Sequence, residues 1–241
     1  MMEAMTKTDD TARPARTRRR ASHSMEAVIS TAVDMLDEAG ESALTFRSLA
    51  QRLGGGVASI YWYVANKEEL LDRATDHVLA GVVADTEAFT GDAADPIENL
   101  RSIGHTLFDA VADRPWLGAY LAADADSRPN GVALFERIGA QVMRLGMGPT
   151  ETFHAASAIL SFVIGTAADL GQQPPPQEVV DGSVSREEFL ARYADRWRAS
   201  DPEQFPFLHF VADRFATHDD AAQFRAGLDM LLAGLRLEAG R

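Results

Sequence analysis

Apolar residues recur along this chain at three- and four-residue intervals, and no stretch sustains the alternation of a β-strand. The spacing predicts an all-α protein. Ala27, Val28, Thr31, Ala32, Met35 and Leu36 share one helical face, with Ser24 placed to cap the start and Gly40 to stop the chain near Ala39. Thr45 predicts the cap of a second helix through Leu53, with Leu49, Ala50 and Leu53 facing inward. A short third helix is expected over about 57–63. Asn66 and Glu69 have the capping-box spacing and predict a fourth, reaching toward Phe89. Beyond a polar break at 90–96, helices are expected near 96–113, 115–123, 129–146, 149–170, 186–199 and 218–239, punctuated by Pro96, Pro115, Pro129 and Pro149. Residues 171–183, GQQPPPQEVVDGS, read as a loop.

Residues 44–70, LTFRSLAQRLGGGVASIYWYVANKEEL, break the plain helical pattern twice. Three glycines end the second helix, since glycine alone takes positive φ without steric cost. Three bulky aromatics then stand side by side. On a helical wheel Val57, Ile60, Tyr61 and Val64 fall on one side, and Ala58, Ser59, Trp62 and Tyr63 on the other. Val57, Ile60 and Val64 are expected to complete a small core with Leu49, Leu53 and the first helix. Trp62 and Tyr63 then project outward, with Tyr61 at the boundary. This is the plan of a helix-turn-helix unit, whose second helix can enter a major groove about 12 Å wide. Small residues allow close approach, and phenol and indole groups can donate to phosphate oxygens. Geometry alone also admits a helical hairpin whose aromatics pack on a neighbouring domain.

Charge changes the picture once it is divided. The net charge of −13 seems to argue against nucleic acid. Residues 1–67 hold 9 Lys/Arg against 8 Asp/Glu, however, and the remainder holds 14 against 28, so the acidity lies in the C-terminal part. RPARTRRR at 13–20 contains five arginines and no acid, among them Arg18, Arg19 and Arg20. Residues 1–21 are expected to form a basic arm without fixed structure, able to lie in a minor groove beside the helix-turn-helix. The absence of cysteine excludes disulfides and thiolate metal sites. No secretory signal is evident at the N-terminus. The central stretch Ala155–Ala168, bounded by His154 and Asp169, has 14 residues against the roughly 20 a membrane span needs. A soluble, cytoplasmic protein is expected.

Residues 24–75 resemble the DNA-binding domain of the TetR family of bacterial transcriptional repressors. The likeness runs through AVDMLDEAGESALTFRSLAQRLGGGVASIYWYVANKEELLD, and the YW and NK pairs are most similar to the tetracycline-repressor branch. AASAILSFVIGTA and QFRAGLDMLLAGLRLE are similar to that branch's two dimer-forming helices. The resemblance implies a helix-turn-helix domain over 22–67 and a helical effector-binding and dimerisation domain over 68–241. It assigns DNA contact to Arg47, to Ala58, Ser59, Tyr61, Trp62 and Tyr63 of the recognition helix, and to Lys67 at the start of helix four. Val57 stands where that branch carries a polar residue and can offer only apolar contact, to a thymine methyl. Tyr63 replaces its histidine. That branch's operator therefore need not apply.

The same resemblance implies a homodimer on a pseudo-palindromic operator. Its interface is expected on the small-residue face of 149–170 (Ala155, Ala158, with Phe162) and on Phe224, Leu228, Leu231, Leu232 and Leu235; the alternative is that these stripes are intramolecular core. His105, Phe108, Trp116, Tyr120, Phe135, Phe153, His154 and Phe162 are candidates to line an effector cavity, although each taken singly also suits ordinary core. Tetracycline repressors hold a magnesium–drug complex with histidines. The corresponding places here carry Tyr120 and Ser161, so no metal or other cofactor is expected, and the effector is expected to be a small, largely apolar or aromatic molecule. The sequence shows no HExxH, no nucleophile motif and no phosphate loop, which argues against an enzyme. A ligand-independent architectural DNA-binding protein, or an activator of the same fold, remains open as an alternative.

Overall fold

Hydrogen-bonding side chains at the expected positions start the N-terminal helices. In a computed structural model describing residues 23–121, 128–172 and 177–240, the Ser24 hydroxyl accepts from the Ala27 amide at 3.0 Å and opens α1 (Met25–Ala39). Gly40, at φ 70°, ends it. Thr45 and Ser48 form a reciprocal capping box at the start of α2 (Phe46–Arg52). Gly54, at φ 72°, closes α2: its amide donates to the Gln51 carbonyl and that of Gly55 to the Ala50 carbonyl, the paired bonds of a Schellman stop. The Asn66 side chain accepts from the Glu69 amide and opens α4 (Lys67–Asp85). Arg18, Arg19 and Arg20 lie outside the described residues.

Helix α3 (Val57–Ile60) is shorter than expected, since residues 61–63 form a turn. Helix α4 stops at Asp85 rather than Phe89, with a 3-10 turn at Glu87–Phe89. There the Thr86 hydroxyl donates to the Val82 carbonyl at 2.8 Å. Val28, Ala32, Leu36, Leu44, Leu49, Ile60 and Val64 form a first core together with Leu70, Leu71 and Ala74 of α4. Burial stabilises by roughly 1.5–3 kcal/mol per large aliphatic side chain. Helix α4 then carries Leu79 and Val82 into the second core, so one helix belongs to both.

The second core is built on α5 (Pro96–Ala112), α6 (Pro115–Leu121), α7 (Pro129–Met143), α8 (Pro149–Gln172) and α12 (Asp220–Ala239). Helix α8 touches the other four. Four of these five begin on proline, which fits a first turn because its missing N–H has no partner to lose there. A Cβ on Gly118 would stand 2.9 Å from the Ala167 carbonyl oxygen and the Ala168 Cα, so α6 and α8 meet backbone to backbone. Helix α9 (Gln177–Val180) lies inside the segment expected to be loop. After α10 (Arg186–Arg198) comes α11 (Pro206–Phe215), which the periodicity did not predict; it packs on α10 and leaves Phe207 and Phe210 exposed. Among the described residues all regular structure is helical.

The apolar stripe of α12 corrects an expectation. Phe224, Leu228, Leu232 and Leu235 are buried within the same subunit, with Leu231 partly buried beside them. Phe108 stacks on Phe224 at 3.9 Å between centroids, Phe162 stacks on the same ring at 5.7 Å, and Gly227 leaves room for the Phe162 ring. Phe224, Leu228, Leu232 and Leu235 are thus intramolecular core, whereas Leu231 and Phe162 keep part of their surface exposed.

Candidate nucleic-acid interface

Two elements with a filled core behind them present one face. Ile60 and Val64 point into the first core, which fixes the rotation of α3 and turns Ala58 and Trp62 outward. Trp62 is 87% exposed and Tyr61 59% exposed. Phe46 meets Tyr61 edge to face at 4.9 Å, orienting the ring without covering it. Arg47, in the first turn of α2, is exposed and makes no hydrogen bond or ion pair recorded among the described residues. Val57 is 36% exposed, so it joins the outer face instead of completing the core. Ile60 and Val64 are large enough to fill that core between them.

Three of the expected contact residues are engaged within the molecule. Tyr63 is half-buried, packs on the first core and donates its hydroxyl to the His23 carbonyl, so it anchors the chain entering α1 instead of projecting outward. The Ser59 hydroxyl donates to the Gly56 carbonyl at 2.6 Å. The Lys67 ammonium lies 3.0 Å from the Glu41 carboxylate and donates to the Glu41 backbone carbonyl, also at 3.0 Å. A Cβ on Gly55 would fall 2.9 Å from the His23 imidazole, so the N-terminal segment joins the unit directly beside the turn.

Asp37 and Glu41, which the sequence pattern did not single out, join this unit to the larger domain. The Trp116 indole N–H donates to Asp37 at 2.7 Å, and Arg114 pairs with the same carboxylate at 3.2 Å. The Tyr120 hydroxyl donates to Glu41. Hydrogen bonds from Tyr120 and Lys67 hold the Glu41 carboxyl below its ordinary range, while burial and then the Glu41 contact push the Tyr120 phenol up. Trp116 and Tyr120 therefore serve the joint, and neither borders the two hollows described below. Glycine at 40 followed by an acid gives no signal of this role, because the partners lie about 79 residues away.

The other expected effector residues are dispersed. Phe108 borders a hollow of about 630 Å³ between the end of α5, the start of α10 and the turn before α12, rimmed by Arg186, His218 and Asp220. Phe162 belongs to the aromatic stack, and Phe135 packs on the second core. His105 meets Phe224 edge-on, and its buried Nε2 has no hydrogen-bond partner among the described residues. Phe153 and His154 are exposed on the outside of α8, as is Ala158, while Ala155 is partly buried. A second, smaller hollow of about 20 Å³ lies between α4, α5, α6, α7 and α8, and Arg128 borders it. A magnesium–drug chelate does not fit these donors: the Tyr120 hydroxyl is held by Glu41, and Ser161 is exposed on α8. Among the described residues no group of three or more His, Asp or Glu stands ready for a metal.

An outward aromatic face on a small helix-turn-helix unit, fastened to a larger helical domain, defines a DNA-binding regulator. Residues 28–74 match the model of bacterial regulatory proteins of the tetR family, and residues 92–238 match the tetracyclin repressor-like C-terminal domain. A helix-turn-helix-type transcriptional regulator of Saccharopolyspora erythraea is 30% identical over 88% of this chain and 84% of its own. The class A tetracycline repressor from transposon 1721 of Escherichia coli is 45% identical over 86% of this chain and 88% of its own. Among solved structures, the Streptomyces coelicolor TetR family protein ActR in complex with actinorhodin is 26% identical, with a TM-score of 0.74 over 92% of this chain and 99% of that one. The chain belongs to the TetR family, whose members are ligand-responsive DNA-binding transcriptional regulators and not enzymes. No helix among the described residues is long and apolar enough to cross a membrane.

Proposed function

We propose that the protein is a cytoplasmic, homodimeric repressor that leaves a pseudo-palindromic operator when a small, largely apolar or aromatic effector binds its larger domain, residues 68–241. The exposure of Trp62 and Tyr61 on a unit whose core is already full carries this reading, because exposed aromatics that the core does not need have another reason to be there. Arg47, Val57, Ala58, Tyr61 and Trp62 form the contact face of the domain at 22–67. Lys67 exchanges the Glu41 carboxylate for a phosphate oxygen, and the dipole at the start of α4 adds to that attraction. His23 lies beside Gly55 and Tyr63, and the arginines at 13–20, earlier in the sequence, supply contacts to the adjacent minor groove. Removing residues 1–20 should weaken operator binding and flatten the slope of log K against log salt.

The outward faces of α8 (Ala158, Ser161, Gly165) and α12 (Ala226, Met230, Ala233, Leu237) pair with their copies across the two-fold axis. Recognition elements then stand about 34 Å apart, one turn of duplex. The effector works by favouring one spacing of those elements over another, with α4 and the Asp37 and Glu41 contacts joining the two domains. Gel retardation of promoter fragments from the organism's own genome, followed by footprinting, tests this: two protected half-sites are expected. Failure to retard any fragment overturns the reading, and equal affinity for mismatched duplex replaces it with an architectural protein.

A further inference from the structure

Arg128 is an anomaly in the second core. Its side chain is only 4% exposed, yet it borders a hollow otherwise lined by Leu79, Leu107, Leu134, Leu160 and Ile164 among other apolar or glycine neighbours. Arginine is rarely buried unless its donors are matched, and a guanidinium carries five of them. Here Nε donates to Asp72 at 2.6 Å and Nη1 to the Tyr120 carbonyl at 2.9 Å; no hydrogen bond from Nη2 is recorded among the described residues. The Asp72 carboxylate is itself 42% exposed, so water screens the one ion pair. A buried guanidinium set against an apolar wall, its Nη2 unbonded among the described residues, matches a molecule with an apolar body and one anionic oxygen group. The larger hollow has no buried cation: its Arg186 is half-exposed and pairs with Asp220 at 3.0 Å, and its His218 lies 2.8 Å from the same carboxylate.

We propose that the effector is an anionic amphiphile, a carboxylate or phenolate on an apolar or aromatic body, and that Arg128 is the residue that selects its charge. This rests on the ligand-responsive reading above and deepens it. At about 20 Å³ the hollow holds about one water molecule, so an effector enters by moving its walls apart. Those walls are tied to the DNA-binding unit: Arg128 holds α4 through Asp72 and α6 through the Tyr120 carbonyl, and Tyr120 holds Glu41, which holds Lys67. An anion drawing on Arg128 competes with those bonds, and the coupling runs through named atoms.

The test uses the full-length dimer and two matched pairs of probes, dodecanoate with its methyl ester and 2-naphthoate with its methyl ester. Binding is read by calorimetry and operator release by retardation. The wild-type protein should prefer at least one acid over its ester by about tenfold or more, the scale of one charge-assisted hydrogen bond. Arg128→Gln should bring that ratio to within about twofold while retaining ester binding, Arg128→Lys should keep most of it, and Arg186→Gln should leave it unchanged. Asp72→Asn combined with Arg128→Gln removes both charges of the pair and serves where the single variant melts early. No acid preference in either pair, a preference that survives Arg128→Gln, or one lost in Arg186→Gln overturns the proposal. Ligand-free protein that retards no promoter fragment overturns the regulatory reading instead, so the two failures are distinct.

Discussion

Two groups of aromatic side chains in this molecule have opposite fates. Phe108 and Phe162 both stack on Phe224 in the second core, Phe224 with 1% of its surface exposed. Tyr61 and Trp62 stand in water on a unit of barely fifty residues. The difference lies in what is behind them. The second core has open space between α5, α8 and α12 that rings fill, whereas the first is closed by Ile60 and Val64 before Trp62 is reached. An exposed aromatic signals contact with something else only where the local core is complete without it.

That contrast can be broken experimentally. Phe224→Ala should cost about 3–5 kcal/mol of stability in chemical denaturation, since three rings lose a packing partner. Met230→Glu, on the opposite face of the same helix, should leave the subunit's own packing intact and shift sedimentation toward monomer. On the DNA-binding unit the ranking reverses, and stability should stay within about 0.5 kcal/mol for surface changes. Arg47→Ala should cost about 1–3 kcal/mol of operator binding and relax preference at one position of the half-site. Trp62→Ala should weaken binding roughly evenly across sequences, by about tenfold.

The smallest effect is expected at the joint. Glu41→Gln removes a half-exposed carboxylate contact worth no more than about 1 kcal/mol. A carboxyl held below its ordinary range when folded stabilises the fold above its unfolded value and loses that contribution as pH falls through the folded value. The melting gap between wild type and Glu41→Gln should therefore be full near neutrality and close below about pH 4. A gap that persists in acid would mean that the substituted amide strains the joint sterically.

Capping chemistry was legible in the sequence, because Ser24, Thr45 and Asn66 each act on the amide three residues away. So was the stop after α2. What was not legible depends on distance along the chain. Periodicity showed that Phe224, Leu228 and Leu232 share a face, but it does not say whether the covering surface belongs to the same subunit. Trp116 and Tyr120 are amphipathic, and their polar tips found Asp37 and Glu41 in another domain, which turned two expected cavity residues into fasteners. Helix α11 escaped notice because Phe205, Phe207 and Phe210 do not fall on one buried stripe. Tyr63 misled because its hydroxyl reaches a carbonyl 40 residues earlier.

Gly118 has a consequence for the whole assembly. With no side chain between them, α6 and α8 ride as a single rod pair, and even one methyl group would wedge them apart. Since α6 grips Asp37 and Glu41 through its aromatic tips, the proposed pairing of α8 with its copy would carry a tilt of one protomer against its mate to the unit that reads the operator.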